Sequence, residues 1–206
     1  MKALELSKYI VQNYHNASFD GITPLKLQKL LYYVHVWGIV SDNKIITDNF
    51  FKWKHGPVND EVYHSYKIFG DSKIPYEQNV TLPNLSSYEK QFVDFVIANY
   101  VKFSAITLSA MTHQDKPWQE TTTNSYISEN SIKSFYSSLL FAKNFPVDEN
   151  KPFYPVETDL HYSFVLDFLS SSSDEPFYYK SYKEYLSLEK QSNIDFNKVF
   201  SNLLET

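Results

Sequence analysis

The longest apolar stretch of the chain, residues 22–40, reads ITPLKLQKLLYYVHVWGIV and predicts a helix. Thr23 is a good N-cap, and Pro24 suits the first helical position, where its missing N–H costs nothing. From Leu27 onward apolar side chains cover nearly the whole circumference, which is typical of a helix buried among other helices. Three polar residues occupy the first turns, which we therefore expect to reach the surface: Lys26, Gln28 and Lys29.

Helical spacing of apolar side chains predicts further helices along the first two thirds of the chain. They lie at residues 3–14, 57–69, 86–103, 104–111 and 128–139. Ser86 with Glu89 forms a capping-box pattern, and Gly70 and Pro117 are expected to end the helices before them.

A short alternating segment interrupts these helices. Phe51 and Trp53 alternate with lysines, which is the period of a half-buried strand, so we expect a β element near 45–54 and only a small sheet. The HisGlyPro sequence at 55–57 is predicted to turn the chain directly into the next helix, with Pro57 at its first position.

Beyond about residue 142 the amino-acid composition changes, because three prolines and a run of four serines follow in a short span. We place a boundary there, with one domain at 1–142 and a C-terminal extension at 143–206. Apolar spacing suggests three helices in the extension, near 160–168, 178–185 and 196–203. The predicted fold is mainly α: a compact multi-helix domain around a buried central helix at about 23–40, with a minimal β element and a helical extension.

Composition narrows the function classes. The 206 residues contain no Cys and only four Gly, which excludes disulfides, thiolate chemistry and glycine-rich phosphate loops. A net charge of −5 and the absence of Arg disfavour nucleic-acid binding. The apolar run at 22–40 is too short and too interrupted by charge for a membrane span, and no signal peptide opens the chain. We expect a cytoplasmic protein without a cofactor.

Three blocks of sequence taken together resemble the Panacea domain, the SocA-type antitoxin family often found beside phage genes. They are TPLKLQKLLYY at 23–33, FKWKHGPV at 51–58 followed by ValTyr at 62–63, and LSAMTHQDKPW at 108–118. The resemblance covers roughly residues 1–142. It is carried by Thr23, Pro24, Lys26, Leu27, Gln28, Lys29, Tyr32, Trp53, His55, Gly56, Pro57, Val58, Tyr63, His113, Pro117 and Trp118.

This resemblance implies a helical protein that neutralises a cognate toxin by direct protein–protein binding, with no catalytic activity of its own. In the founding member the antitoxin acts instead as an adaptor that delivers its toxin to a ClpXP protease, so a ClpX-type partner is the alternative. Partner binding also agrees with an acidic, aromatic-rich chain. The oligomeric state is left open.

Some of these residues allow a second interpretation. His55 and His113 could form the acid–base pair of a small enzyme, but histidines at turns and helix ends more often hydrogen-bond free backbone carbonyls. Trp53 and Trp118 are expected to be core residues rather than exposed anchors. No spacing among the six histidines predicts a metal site, and we assign no catalytic residue.

Overall fold

A computed structural model describes residues 1–17 and 21–145 of the chain. Within these ranges it contains seven α-helices and one two-stranded antiparallel sheet, which confirms the predicted mainly α fold with a minimal β element. Two 3-10 turns, Lys67–Phe69 and Leu140–Asn144, extend the helical segments. The elements are α1 (Ala3–Tyr14), α2 (Pro24–Val40), β1 (Phe51–Trp53), β2 (Gly56–Val58), α3 (Asp60–Tyr66), α4 (Ser87–Tyr100), α5 (Ala105–Gln114), α6 (Lys116–Glu120) and α7 (Glu129–Tyr136).

Helix α2 is the centre of the fold, as its apolar circumference predicts. It packs against α1, α3, α4, α5, α7 and strand β2, and its residues from Lys26 to Ile39 are all buried. The Thr23 hydroxyl accepts a hydrogen bond from the Lys26 backbone N–H at 3.3 Å, so the N-cap lies where the sequence places it. A helix surrounded on all sides needs apolar residues on all sides, which is why no single apolar stripe exists.

The core around the C-terminal half of α2 is built from aromatic rings. Trp37 lies edge-on to Tyr136, with ring centroids 5.4 Å apart, and donates its indole N–H to the Tyr100 hydroxyl at 2.9 Å. Tyr33 stacks on Tyr100 at 3.9 Å. These contacts join α2 to α4 and α7 through aromatic rings.

The polar first turns of α2 are buried, so the prediction that this end reaches the surface is wrong. Lys26 is 1% exposed, Gln28 4% and Lys29 0%. The reason is that α5, α3 and β2 close over this end of the helix and present backbone carbonyls to two of these side chains. Hydrogen-bond partners supplied by other elements make the burial of polar residues tolerable.

The HisGlyPro segment forms a β-hairpin and does not lead directly into a helix. Trp53 pairs with Gly56, so Lys54 and His55 form a two-residue turn, and Pro57 lies in β2 opposite Lys52. Helix α3 begins three residues later than predicted, at Asp60. Its N-cap is Asn59, whose side-chain oxygen accepts from the Val62 N–H at 3.1 Å. An Asn directly before two acidic residues is a signal for a helix start, and the prediction based on Pro57 did not take it into account.

The other helix ends agree well with the sequence. Ser86 and Glu89 form the predicted capping box at α4, and the Ser104 hydroxyl caps α5. The break before Pro117 occurs at Asp115, which is extended, and residues 116–120 form the short helix α6 with Pro117 in its first turn. Gly70 ends the 3-10 turn after α3 with a φ of 54°.

The C-terminal part of the sequence prediction falls beyond the described residues. The three helices predicted near 160–168, 178–185 and 196–203 lie there, and the division at residue 142 stays a prediction. The ring of Phe145 stacks on Trp37 at 5.2 Å with an interplanar angle of 19°. The packed core therefore includes the residues just after 142.

No single helix in the described ranges is both long and apolar enough to cross a membrane. Helices α4 and α5 reach that length and composition only when they are taken together, and they are bent by 98° relative to each other. Buried helices of a protein core commonly have this composition.

Candidate protein-binding site

The three sequence blocks that carry the resemblance meet at the β-hairpin. The Lys29 ammonium on α2 donates to the Pro57 carbonyl at 2.9 Å. From α5, an imidazole nitrogen of His113 lies 2.9 Å from the Lys54 carbonyl, and the Ser109 hydroxyl donates to the His55 carbonyl at 3.0 Å. Side chains from two helices thus hold the backbone of the hairpin on both sides of its turn.

Gln28 holds the exit of the hairpin. Its side-chain amide donates to the Asn59 carbonyl at 3.0 Å, and its side-chain oxygen accepts from the Asn59 N–H at 2.9 Å. This reciprocal pair satisfies both backbone groups of a buried residue. The Asn59 side chain also donates to the Asn49 carbonyl at 3.2 Å, so one residue joins α2, α3 and the segment before β1.

Lys29 is the most unusual polar group of this region. Its side chain is fully buried, and burial lowers the pKa of its ammonium from 10.5 to about 7. Within the described residues no carboxylate forms an ion pair with it, and the Pro57 carbonyl is its hydrogen-bond acceptor. Desolvation without a counter-charge disfavours the charged form, which explains the direction of the pKa shift.

Gly56 is required by this arrangement. Its φ is 98°, a left-handed conformation that favours glycine. A Cβ at this position would lie 2.6 Å from the Lys29 Nζ and 2.7 Å from the Thr112 Oγ1. The glycine therefore allows the hairpin to approach α2 and α5 closely enough for the Lys29 hydrogen bond to form.

His113 is engaged by backbone on both sides of its ring. One imidazole nitrogen lies 2.6 Å from the Ser109 carbonyl of its own helix, and the other contacts the hairpin. The ring is also edge-on to Trp118 at 4.2 Å. In this conformation neither nitrogen is left to transfer a proton to a substrate, so the structure does not form the acid–base pair with His55 considered above.

His55 itself is exposed at the tip of the hairpin. Its backbone carbonyl, and not its ring, makes the contact to α5. Among the described residues no group of three or more His, Cys, Asp or Glu is placed to hold a metal ion.

A second buried polar group lies in the third block. Asp115, at the junction of α5 and α6, is 0% exposed and accepts a hydrogen bond from the Tyr136 hydroxyl. Burial raises the pKa of the Tyr32 hydroxyl, and the negative charge of Asp115 raises it further. Sequence reasoning missed Asp115, because a single acid between two helices reads as an ordinary exposed linker residue.

The two tryptophans of the resemblance are half-buried rather than enclosed in the core. Trp118 is partly buried and packs against the core, and the Lys52 ammonium lies 4.4 Å from the centre of its ring. Trp53 lies on the outer side of the hairpin, edge-on to Tyr63 of α3 with centroids 4.9 Å apart. Each tryptophan therefore keeps part of its surface in contact with solvent.

Trp53 and Tyr63 line a groove between the hairpin, α3 and the start of α2. Its volume is about 320 Å³, and we call it the hairpin groove. Six of the residues that carry the resemblance contribute to its lining: Pro24, Gln28, Trp53, His55, Val58 and Tyr63. The remaining lining residues, which the resemblance did not single out, are Leu25, Lys54, Val62, Lys67, Gly70 and Asp71.

The residues of the resemblance thus fall into two groups. Nine of the sixteen are buried and hold the hairpin and α2 in place: Lys26, Leu27, Gln28, Lys29, Tyr32, Gly56, Pro57, Val58 and Pro117. The remaining seven reach the surface at least in part: Thr23, Pro24, Trp53, His55, Tyr63, His113 and Trp118. The second group, together with the parts of Gln28 and Val58 that line the groove, offers the surface that a partner can contact.

Comparison with known protein families gives this geometry a context. Residues 27–119 match the model of the family described as Antitoxin SocA-like, Panacea domain. The resemblance drawn from the three sequence blocks is confirmed. The Panacea match begins in α2 and ends in α6, and so includes the whole hairpin, all of α5, and α2 from Leu27 onward. It indicates an antitoxin-type domain over these residues. No curated protein and no solved structure matched the chain.

Proposed function

We propose that this protein is an antitoxin that neutralises a co-encoded toxin by binding it directly in the cytoplasm. The observation that carries the proposal is the hairpin groove, a partly exposed aromatic surface whose lining residues, apart from Pro24 and Leu25, lie within the Panacea match. Aromatic side chains at a partly desolvated surface are frequent anchors of protein–protein interfaces. The backbone contacts of His113 favour binding over catalysis as the role of the third block.

The test begins with the genes that neighbour this one. Each is expressed alone in a host cell, and those that arrest growth are expressed again together with this protein. We expect growth to be restored by this protein and the toxin to be recovered with it at equal stoichiometry. The toxin concentration in the cells should stay constant, because sequestration leaves the toxin intact. If no growth-arresting neighbour is rescued or bound, the proposal is wrong.

The same experiment separates the proposed function from the two alternatives. Restored growth with a falling toxin concentration, dependent on ClpX, would identify a proteolytic adaptor instead. The enzyme hypothesis is addressed by the variant His55→Ala, which removes an exposed side chain that lines the hairpin groove. Under direct binding, any loss of rescue by this variant is accompanied by loss of the complex, whereas loss of rescue with an intact complex would indicate chemistry at that imidazole.

A further inference from the structure

The hairpin groove carries enough chemical detail to describe the segment that fits it. We propose that it binds an acidic, amphipathic segment of the toxin, with an apolar side chain seated beside Trp53 and Tyr63 and a carboxylate facing Lys54. The inference rests on the proposed function and adds the chemistry of the partner.

The apolar part of the groove provides the anchor. The edge-to-face pair of Trp53 and Tyr63 lies beside Val58 and Leu25, and Tyr63 keeps 38% of its surface exposed. A volume of about 320 Å³ accommodates one or two large side chains but not a folded domain. A protein partner therefore inserts single side chains here and places the rest of its surface on the rim.

The charges on the rim determine which sign of charge the partner segment should carry. Lys54 is exposed, and in the described part of the chain its ammonium makes no hydrogen bond or ion pair. Lys67 is also exposed; its ammonium lies 3.2 Å from a ring nitrogen of His64 and 5.9 Å from the centre of the Tyr63 ring. Asp71 is the one acidic residue of the lining, whereas the whole chain carries a net charge of −5. A basic rim on an acidic protein complements an acidic segment.

The hairpin cannot bind its partner by adding a strand. The free edge of β1 is already taken, because the Lys52 N–H donates to the Ser125 carbonyl and its carbonyl accepts from the Asn124 N–H, both at 2.9 Å. On the other edge Pro57 has no N–H, and its carbonyl accepts from Lys29. The partner segment must therefore present side chains, as the apolar face of a helix or a loop does.

The groove is also held in its shape before any partner arrives. The contacts of His113 and Ser109 fix the two carbonyls of the hairpin turn, and Gln28 fixes its exit. Little conformational entropy remains to be lost when a segment binds, which favours affinity in a small interface.

The test uses the full chain and two synthetic fluorescent peptides, so it does not require the toxin. Both peptides carry Leu and Phe at the same helical spacing, and they differ only in having Glu or Lys at every polar position. Binding is measured by fluorescence anisotropy. We expect saturable binding of the Glu peptide, about tenfold tighter than that of the Lys peptide. The variant Lys54→Glu should abolish this preference, and Tyr63→Ala should weaken binding of the Glu peptide about tenfold.

Matched controls lie outside the groove. Lys8→Glu changes another exposed lysine, and Tyr76→Ala removes a tyrosine that is 57% exposed, so both variants should bind the peptides as the unchanged protein does. Lys54 and Tyr63 are both exposed, so their variants should fold, which circular dichroism verifies. Equal binding of the two peptides, binding unaffected by Lys54→Glu and Tyr63→Ala, or no saturable binding at millimolar peptide would overturn the inference. The growth assay decides the antitoxin role separately, since a toxin bound elsewhere would still be neutralised.

Discussion

The two halves of α2 are both buried, but by different means. The C-terminal half packs Tyr33 and Trp37 among aromatic rings of α4, α7 and the segment after α7. The N-terminal half buries Gln28 and Lys29, which are polar and depend on backbone carbonyls of the hairpin exit. Apolar contacts are non-directional and follow the area removed from water, whereas buried polar groups require a partner at a set distance and angle.

This difference explains how one helix can both stabilise the fold and position a surface feature. The aromatic half supplies free energy through burial of large rings. The polar half supplies little net stability, because desolvation offsets much of what its hydrogen bonds contribute. It determines instead where the hairpin lies, and therefore where Trp53 and Tyr63 form the groove.

The largest effect should be a rise in the free energy of unfolding at alkaline pH, caused by Lys29 in the polar half of α2. Burial lowers the pKa of Lys29 from 10.5 to about 7, so between these values the unfolded chain binds more protons than the folded one. Stability should therefore rise with pH by up to about 1.4 kcal/mol per pH unit, and by as much as about 5 kcal/mol over the window. The contribution is complete above pH 10.5 and is lost as the pH falls toward 7.

Other groups titrate in that range, so the measurement is a difference. Urea unfolding is followed from pH 7 to 10 for the unchanged protein and for Lys29→Met, which keeps a similar volume without the charge. The unchanged protein should gain stability relative to the variant as the pH rises. If the two curves of unfolding free energy against pH run parallel, Lys29 is hydrated in solution and the hairpin does not exclude water from it.

The next largest effect should come from the aromatic half. Trp37→Ala removes a ring that is 1% exposed and contacts Tyr136, Phe141 and Phe145. We expect a loss of about 4 kcal/mol in the free energy of unfolding, from lost burial and the cavity left behind. Denaturant unfolding measures the loss. Trp53→Ala is the matched control, and an equal loss there would show that the hairpin tryptophan is a core residue after all.

A third effect tests acid stability within the aromatic half. The His35 ring packs against Phe50, with ring centroids 5.0 Å apart. Burial lowers the pKa of His35 from 6.5 to about 4. The unfolded chain then binds the proton first, so stability should fall between pH 6.5 and 4 by about 3 kcal/mol. His35→Leu should flatten that part of the stability curve. A curve that stays steep in His35→Leu would assign the acid sensitivity to carboxylates.

The smallest of these effects tests the contact between the hairpin and the polar half. Gly56→Ala forces a residue with a side chain to adopt a φ of 98° and places its Cβ against Lys29. We expect a loss of about 2 kcal/mol. A double-mutant cycle with Lys29→Ala should recover part of it, because the shortened side chain frees space. Gly70 also has a positive φ, but no atom lies within 4 Å of an added Cβ. The variant Gly70→Ala therefore measures the part of the stability loss that comes from backbone strain alone.

Local patterns in the sequence were sufficient to place most helices. Apolar spacing gave the bounds of α1, Thr23 and Pro24 gave the start of α2, and Ser86 with Glu89 gave the start of α4. These signals work because a capping hydrogen bond and a helical repeat both involve neighbours within a few residues. They needed no knowledge of the remaining chain.

The candidate site could be predicted only in part. The three blocks pointed to Trp53, His55, Tyr63 and His113, and the structure brings these to one hairpin and its supports. The sequence did not indicate that Leu25, Lys54 and Lys67 complete the groove, because these residues lie on three separate elements. Their common position follows from the packing of α3 against α2.

Residue patterns were enough to establish a helical fold around one central helix, the absence of cysteine chemistry and the resemblance to the Panacea family. The tertiary structure alone decided that Lys26 and Lys29 are buried, that HisGlyPro forms a hairpin, and that His113 binds backbone. The physical reason is the range of the interactions. Helix caps and apolar repeats act between close neighbours, whereas the carbonyl that accepts from the buried Lys29 belongs to Pro57, 28 positions away.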